Sequence, residues 1–107
     1  MNGLPDSYLQ SWFAIYCSLV FGDSISRDLT LQFEDLTDTD VVGYFDPDFQ
    51  TIGIANDLSC KIAKEVLLHE MIHVWDFSIR GTTDHGTAFQ EKALEVEKTL
   101  GICTYYS

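Results

Sequence analysis

Three residues near the middle of the chain have the types and spacing for metal-assisted hydrolysis: His69, Glu70 and His73. In a helix, residues four positions apart lie one turn apart on the same face, so the two imidazoles could share one zinc ion. Glu70 directly follows the first histidine, where a carboxylate can act on a water held by the same ion. This H-E-x-x-H pattern predicts a small zinc-dependent hydrolase.

A catalytic zinc site also needs a third protein ligand, with one position left open for water. The metzincin pattern would place a glycine three residues and a histidine six residues after the second histidine. Asp76 and Ile79 occupy those positions, which excludes that pattern. Two sources remain open on the residues alone: a glutamate of the following helix, Glu91 or Glu95, and the third histidine of the chain, His85.

The elements that must position these residues can be predicted from the spacing of apolar side chains. Residues 60–79 are apolar on most faces, which predicts a long helix buried at the centre of the domain. Residues 87–100 carry one apolar stripe and end at Gly101, which predicts a second helix. An amphipathic helix is also predicted near the N-terminus, with Asp6 or Ser7 as its N-cap.

Between the first two helices the pattern changes to that of strands. Residues 29–36 alternate between apolar and polar side chains, and residues 41–45 and 51–55 flank a turn at Asp46-Pro47-Asp48. We therefore predict a small antiparallel sheet of about three strands. The expected fold class is α+β, in one domain that spans residues 1–107.

Charge and cysteine usage narrow the classes of function. The chain has 17 acidic and 6 basic residues, a net charge of −11, which disfavours direct binding to nucleic acid and suits either solubility or a basic protein partner. The first residues lack a basic region and no apolar run reaches membrane-spanning length, so we expect neither a signal peptide nor a transmembrane segment. Three widely spaced cysteines fit reduced thiols better than a disulfide framework, so we expect a cytoplasmic protein.

Two motifs together resemble a known family. The first is the pentapeptide at residues 69–73, and the second is His-Gly-Thr-Ala-Phe at residues 85–89. The pair is similar to the SprT-like, or Spartan-like, zinc metallopeptidases, which combine H-E-x-x-H with a downstream H-G-x-x-F. Residues 43–46 and 51–54 also look like the strand pair that precedes the active-site helix in that family. The resemblance implies a minimal zincin-like domain.

The resemblance also implies how the site is used. It assigns one catalytic Zn²⁺ to His69, His73 and His85, and it makes Glu70 the general base in hydrolysis of a peptide bond of a protein or peptide substrate. The family often carries a C-terminal zinc-binding or DNA-binding extension, and after residue 107 we expect none here. The zinc chemistry is therefore carried over here, and a role in DNA repair is not.

The alternatives to an active peptidase differ from it mainly in whether Glu70 is required for function. A zinc-bound binding or inhibitory module, with an acidic surface that engages a basic partner or mimics DNA, would need the histidines alone. A structural protein without metal would need the motif spacing to be accidental. Within the peptidase interpretation, Asp76 or Asp84 is expected to orient an imidazole, and Tyr44 is a candidate oxyanion donor.

Overall fold

The computed structural model describes residues 5–26, 28–81 and 86–101 of the 107-residue chain. The predicted α+β class is confirmed. In chain order the elements are α1 (Asp6–Tyr16), a π-helical turn (Cys17–Phe21), β1 (Thr30–Glu34), β2 (Gly43–Asp46), β3 (Thr51–Ala55), α2 (Cys60–Arg80) and α3 (Thr87–Leu100).

Helix α2 forms the centre of the molecule, as its apolar composition predicts. Its first turn is capped by the Ser59 hydroxyl, which accepts a hydrogen bond from the Ile62 amide at 3.3 Å. It ends at Gly81, which adopts the left-handed conformation (φ 72°) and donates its amide to the Phe77 carbonyl. Between these ends, the residues from Val66 to Val74 are all buried, so α2 meets other elements on every side.

The sheet has the predicted number of strands but not the predicted directions. Its order is β1-β3-β2; β2 pairs antiparallel with β3, while β1 pairs parallel with β3, from Thr30 opposite Thr51 to Glu34 opposite Ala55. The expectation of a purely antiparallel sheet was therefore wrong for β1. The eight-residue connection at 35–42 carries the chain past β3, so β2 returns on the far side. The central position of β3 explains why Ile52, Gly53, Ile54 and Ala55 are all buried.

Strand β2 lies very close to α2, and a glycine permits this approach. A Cβ atom on Gly43 would come within 2.5 Å of Val66 Cγ1, closer than packed carbon atoms approach. Further along the same strand, the Phe45 ring meets Phe77 edge-on, with centroids 5.9 Å apart. These contacts place the edge strand β2 alongside the middle and last turns of α2.

Helix α1 packs through one stripe, Leu9, Phe13 and Tyr16, that is buried at helical spacing. Its first residue, Asp6, also reaches the sheet: the carboxylate oxygen Oδ1 accepts the Phe33 amide of β1 at 2.9 Å. Asp6 begins the helix with Pro5 as N-cap, so the predicted cap, Asp6 or Ser7, is one or two residues late. Helix α3 then packs against α2 through Phe89, Ala93 and Val96.

Among the described residues, no helix has both the length and the apolar character required to cross a lipid bilayer.

Candidate metal site

Helix α2 brings two of the predicted ligands together. His69 and His73 lie one turn apart, both are buried, and their ring centroids are 4.8 Å apart at an interplanar angle of 76°. Imidazoles this close on one face of a helix can present nitrogen atoms to a common point. The two histidines therefore lie on one face of a helix, as their spacing predicts.

Glu70 is buried in the same turn. The residues four positions before and after it are Val66 and Val74, and the basic side chain at helical spacing is His73, three positions further on. Burying a carboxylate is costly unless it meets a charge, a hydrogen-bond donor or a metal ion. A carboxylate in this position is suited to accept a proton in a site that excludes bulk water.

Phe89 of α3 packs on both imidazoles. Its ring centroid lies 5.2 Å from that of His69 and 4.4 Å from that of His73, and the side chain is fully buried. Phe89 belongs to the apolar stripe of residues 87–100, and that spacing alone predicts only a core position for it. The H-G-x-x-F motif is the signal that could have revealed this contact, because Phe89 is its last residue. Phe89 therefore restricts the rotation of both rings.

Asp76 forms an ion pair with a neighbour on its own helix. Its two carboxylate oxygens accept hydrogen bonds from Arg80, Nε to Oδ1 at 2.7 Å and a terminal guanidinium nitrogen to Oδ2 at 2.5 Å. Asp76 is fully buried. The structure thus assigns this carboxylate to a bidentate pair with Arg80, one turn further along α2, rather than to the predicted contact with an imidazole. The other residue considered for that contact, Asp84, lies outside the described residues.

The two glutamates considered as third ligands point away from the histidines. Helix α3 presents Phe89 to the imidazoles, whereas Glu91 and Glu95 are exposed, and Glu95 pairs with Lys92 at 3.1 Å. Within the described ranges, no group of three His, Cys, Asp or Glu side chains lies close enough to hold a metal ion. His85, the ligand implied by the family resemblance, lies outside the described residues.

Tyr44 lies on the wrong side of the sheet to serve as an oxyanion donor. Gly43 faces α2, so the next residue along β2 projects from the opposite face. There the Tyr44 hydroxyl donates a hydrogen bond to Glu34, whose carboxylate also accepts Gln32 Nε2 at 2.5 Å. Burial, followed by the bond to Glu34, raises the pKa of Tyr44. Tyr44 and Glu34 thus form a cross-strand contact on the polar face of the sheet.

His69 and His73 can supply two of the three protein ligands that a catalytic zinc site needs. Zinc takes neutral imidazole ligands readily, and one helical turn with two buried histidines and an adjacent glutamate provides them. Within the described ranges no third donor joins them.

Comparison with known proteins places the chain in a family. A family model described as SprT-like matches residues 9–106. The chain belongs to the SprT-like family. The match covers both histidine motifs, all three strands and most of α1. Among curated protein sequences, none matches this SprT-like chain.

Two solved structures share the fold. The metallopeptidase zymogen jannalysin of Methanocaldococcus jannaschii aligns with a TM-score of 0.60 at 17% identity, over 100% of this chain and 82% of that chain. The metallopeptidase zymogen abylysin of Pyrococcus abyssi aligns with a TM-score of 0.58 at 12% identity, over 90% of this chain and 98% of that chain. At these identities the likeness is one of fold. The expectation of a small zincin-like fold is thereby confirmed.

Proposed function

We propose that this SprT-like chain is a zinc metallopeptidase that hydrolyses peptide bonds in protein or peptide substrates. The observation that carries the proposal is the buried pair His69 and His73, with centroids 4.8 Å apart on one turn and Glu70 between them in sequence. Membership of the SprT-like family supports the same chemistry.

His69 and His73 would hold the ion with a third ligand. The residues outside the described ranges that carry a suitable donor are Asp84, His85 and Cys103. His85 is favoured because it begins the H-G-x-x-F motif, whose Phe89 contacts both other imidazoles. When bound, zinc supplies a Lewis acid that polarises the substrate carbonyl and lowers the pKa of a coordinated water to about 7.

Glu70 carries the proton through the reaction. Its carboxylate takes a proton from the water whose oxygen attacks the carbonyl carbon, and later gives a proton to the nitrogen of the leaving amine as the C–N bond breaks. The products are a carboxylate and an amine. Phe89 packs on the imidazoles and helps to keep water from their buried sides.

The substrate is proposed to lie along β2. This strand is at one edge of the sheet and has a partner strand, β3, on its other side. It also packs on α2 through Gly43 and Phe45, beside the turns that carry the histidines. An extended peptide could pair with the outer edge of such a strand by main-chain hydrogen bonds.

The third-ligand assignment is tested by metal analysis of purified protein. We expect one zinc per chain in the wild type, loss of most of it in His85→Ala, and full zinc in the matched variants Asp84→Asn and Cys103→Ser. Glu91→Gln serves as a control on α3. Unchanged zinc content in His85→Ala would remove His85 from the site.

Catalysis is tested with Glu70→Gln and an unfolded labelled protein such as casein. Loss of a general base costs about 10²- to 10⁴-fold in rate, so we expect cleavage to fall by that factor while zinc content is kept. Glu65→Gln, a buried glutamate one turn earlier, is the control and should keep activity. Equal activity in Glu70→Gln and wild type would contradict the mechanism.

The second candidate function is the zinc-bound inhibitory or binding module. It is favoured by the exposed carboxylates Asp35, Asp38 and Asp40 in the connection between β1 and β2, within a chain of net charge −11. Under that function, Glu70→Gln would keep the full biological effect of the protein, and replacing the three aspartates with asparagine would abolish it. The peptidase proposal expects the reverse.

A further inference from the structure

The face of the sheet that is turned away from α2 carries a row of residues paired across all the strands. Gln32 of β1, Gly53 of β3 and Tyr44 of β2 lie directly opposite one another. Gly53, in the middle of the row, has no side chain, so side chains from both edges of the sheet can approach each other above the central strand. The two edge strands can therefore touch across β3.

Tyr44 occupies the space above Gly53. A Cβ atom on Gly53 would lie 2.5 Å from Tyr44 Cζ and 2.8 Å from Glu34 Oε2, so the ring from β2 and the carboxylate from β1 meet directly above the glycine. There the Tyr44 hydroxyl donates to Glu34, which also accepts Gln32 Nε2 at 2.5 Å. The raised pKa of Tyr44 keeps the proton on this hydroxyl at neutral pH. A hydrogen bond to a carboxylate is about twice as strong as one between neutral groups, and here it joins the two edges of the sheet.

Strand β2 gains from such a bond because it is short and lies at an edge. It has four residues and is paired with β3 on one side. Just before it, the Ala55 amide donates to the Val42 carbonyl at 2.8 Å, and the residues of an antiparallel strand alternate between hydrogen-bonded and non-hydrogen-bonded positions. The main-chain groups of Tyr44 are therefore turned towards β3, whereas those of Gly43 and Phe45 are turned towards the outer edge.

A peptide that pairs with the outer edge of β2 would meet the main chain of Gly43 and Phe45, on either side of Tyr44. Only an ordered strand can form that ladder, so molecules in which β2 has frayed bind no substrate. We propose that Tyr44 is a positioning residue, which holds β2, through its bond to Glu34, in the conformation that receives a substrate strand. This role rests on the proposed function, in which the substrate lies along β2.

Such a role changes substrate affinity and leaves the chemical step alone. When the state that binds is only partly populated, the apparent affinity falls in proportion to its population. Loss of the Tyr44 hydroxyl should therefore raise the KM for labelled casein about three- to tenfold, with kcat within about twofold of wild type. A general loss of stability would instead reduce the amount of folded enzyme, which lowers the apparent kcat at unchanged KM.

Variants at the two ends of the bond test this role in the full chain. Tyr44→Phe keeps the ring over Gly53 and removes the hydroxyl. Glu34→Ala removes the acceptor from β1, at the opposite edge from the proposed substrate. We expect both variants to raise the KM by the same factor, and the double variant to raise it no further, because each removes the same bond. Additive effects on the KM would contradict the assignment.

Two control variants match these changes elsewhere in the chain. Tyr8→Phe removes a tyrosine hydroxyl of α1, which donates to the Cys60 carbonyl at 3.1 Å. Asp28→Ala removes an exposed carboxylate just before β1, so it makes the same change in charge as Glu34→Ala. Both controls should keep the KM of wild type. An equal rise of the KM in Asp28→Ala and Glu34→Ala would assign the effect to charge and overturn the proposal.

Amide hydrogen exchange follows β2 itself, without substrate or metal. In Glu34→Ala we expect exchange about tenfold faster than in wild type at the amides of Tyr44 and Asp46, which face β3, because the strand opens more often. Exchange in α3 should stay the same. Unchanged exchange at both β2 amides would show that the bond does not hold the strand, and would overturn the proposal.

Failure of this role can be told apart from failure of the proposed function. If wild type cleaves casein and Tyr44→Phe has an unchanged KM, Tyr44 does not position the substrate strand and the peptidase proposal stands. If wild type does not cleave casein and Glu70→Gln does not bind it, the peptidase proposal is contradicted and the role of Tyr44 is overturned with it. A raised KM together with faster exchange supports both.

Discussion

The two ends of α2 neutralise their buried carboxylates differently from the middle of the same helix. At the first end Glu65 pairs with Lys61, and at the last end Asp76 pairs with Arg80, both between residues four positions apart. In the middle, the positions four residues from Glu70 are Val66 and Val74. The carboxylates at the ends therefore pair with a lysine or an arginine of the same helix, whereas the basic side chains next to Glu70 are the two histidines proposed to hold the metal ion.

This difference separates residues that stabilise the fold from residues proposed to bind metal. Changes in the middle of α2 should alter metal affinity more than stability, and changes at the ends should do the opposite. The following variants test that division, beginning with the largest expected effect.

His73→Gln should reduce zinc affinity by more than the roughly 100-fold lost when groups that merely support a metal ligand are changed. The metal-free protein should unfold at nearly the same denaturant concentration as wild type, since glutamine keeps most of the side-chain volume. Competition with a zinc chelator measures the affinity, and urea unfolding measures the stability. A large loss of stability with unchanged zinc affinity would show that His73 stabilises the fold and does not bind the metal.

Asp76→Ala should destabilise the protein by about 3 kcal/mol, because it removes a fully buried carboxylate and leaves Arg80 without its bidentate partner. The Arg80 side chain is 31% exposed and can turn towards water, which keeps the loss at the lower end of the usual range. Zinc affinity of the folded protein should stay within a few-fold of wild type. Urea unfolding and chelator competition give the two values.

Phe89→Leu should lower zinc affinity by about 10- to 100-fold, the loss typical of a group that supports metal ligands. Leucine fills much of the space but cannot pack a ring on both imidazoles, so the two rings gain rotational freedom. Val96→Leu, elsewhere on the buried face of α3, is the control for altered packing. The same affinity in Phe89→Leu and wild type would show that α2 alone orients the histidines.

Stability should fall above about pH 10, through Tyr16. The folded protein holds this proton up to a pKa of about 12, above the ordinary 10.0, so stability is fully present below about pH 10 and is lost as the pH rises to about 12. We expect a loss of about 3 kcal/mol over that window, because the pKa rises from 10.0 to about 12 and each pH unit corresponds to about 1.4 kcal/mol. Urea unfolding of Tyr16→Phe across the same pH window should show a smaller decrease in stability with pH.

Lys61→Ala should change the free energy of unfolding by less than about 1 kcal/mol, the smallest effect of the series. The Lys61 side chain is 75% exposed, so its pair with Glu65 is screened by water and salt. Raising the salt concentration should reduce the difference from wild type further. A loss as large as that of Asp76→Ala would show that the two ends of α2 are equivalent.

The sequence predicts features that depend on local spacing. The bounds of α2 and α3 follow from apolar periodicity and from Gly81 and Gly101, which end the helices in the left-handed conformation. The approach of His69 to His73 follows from the same periodicity. These features depend on residues that are close together in the sequence, so one sequence is enough to predict them.

Features that depend on distant contacts were harder to predict. The parallel direction of β1 depends on the path of the connection at 35–42, and alternation of side chains carries no information on direction. The i,i+4 spacing of Asp76 and Arg80 was visible in the sequence, but the burial that gives the pair its strength was not. The contact of Phe89 with both histidines requires the return of α3 along α2.

The hydrogen bond between Asp6 and the Phe33 amide has a consequence for molecules at high concentration. Strand β1 is the second edge of the sheet, and an open edge is where a strand from a neighbouring molecule can attach and begin an aggregate. Here a carboxylate of α1 already occupies an outward amide of β1, and an arriving chain would have to displace a charged group. The first turn of α1 thus protects the β1 side of the sheet, whereas the other edge, β2, is the one proposed to receive a substrate strand.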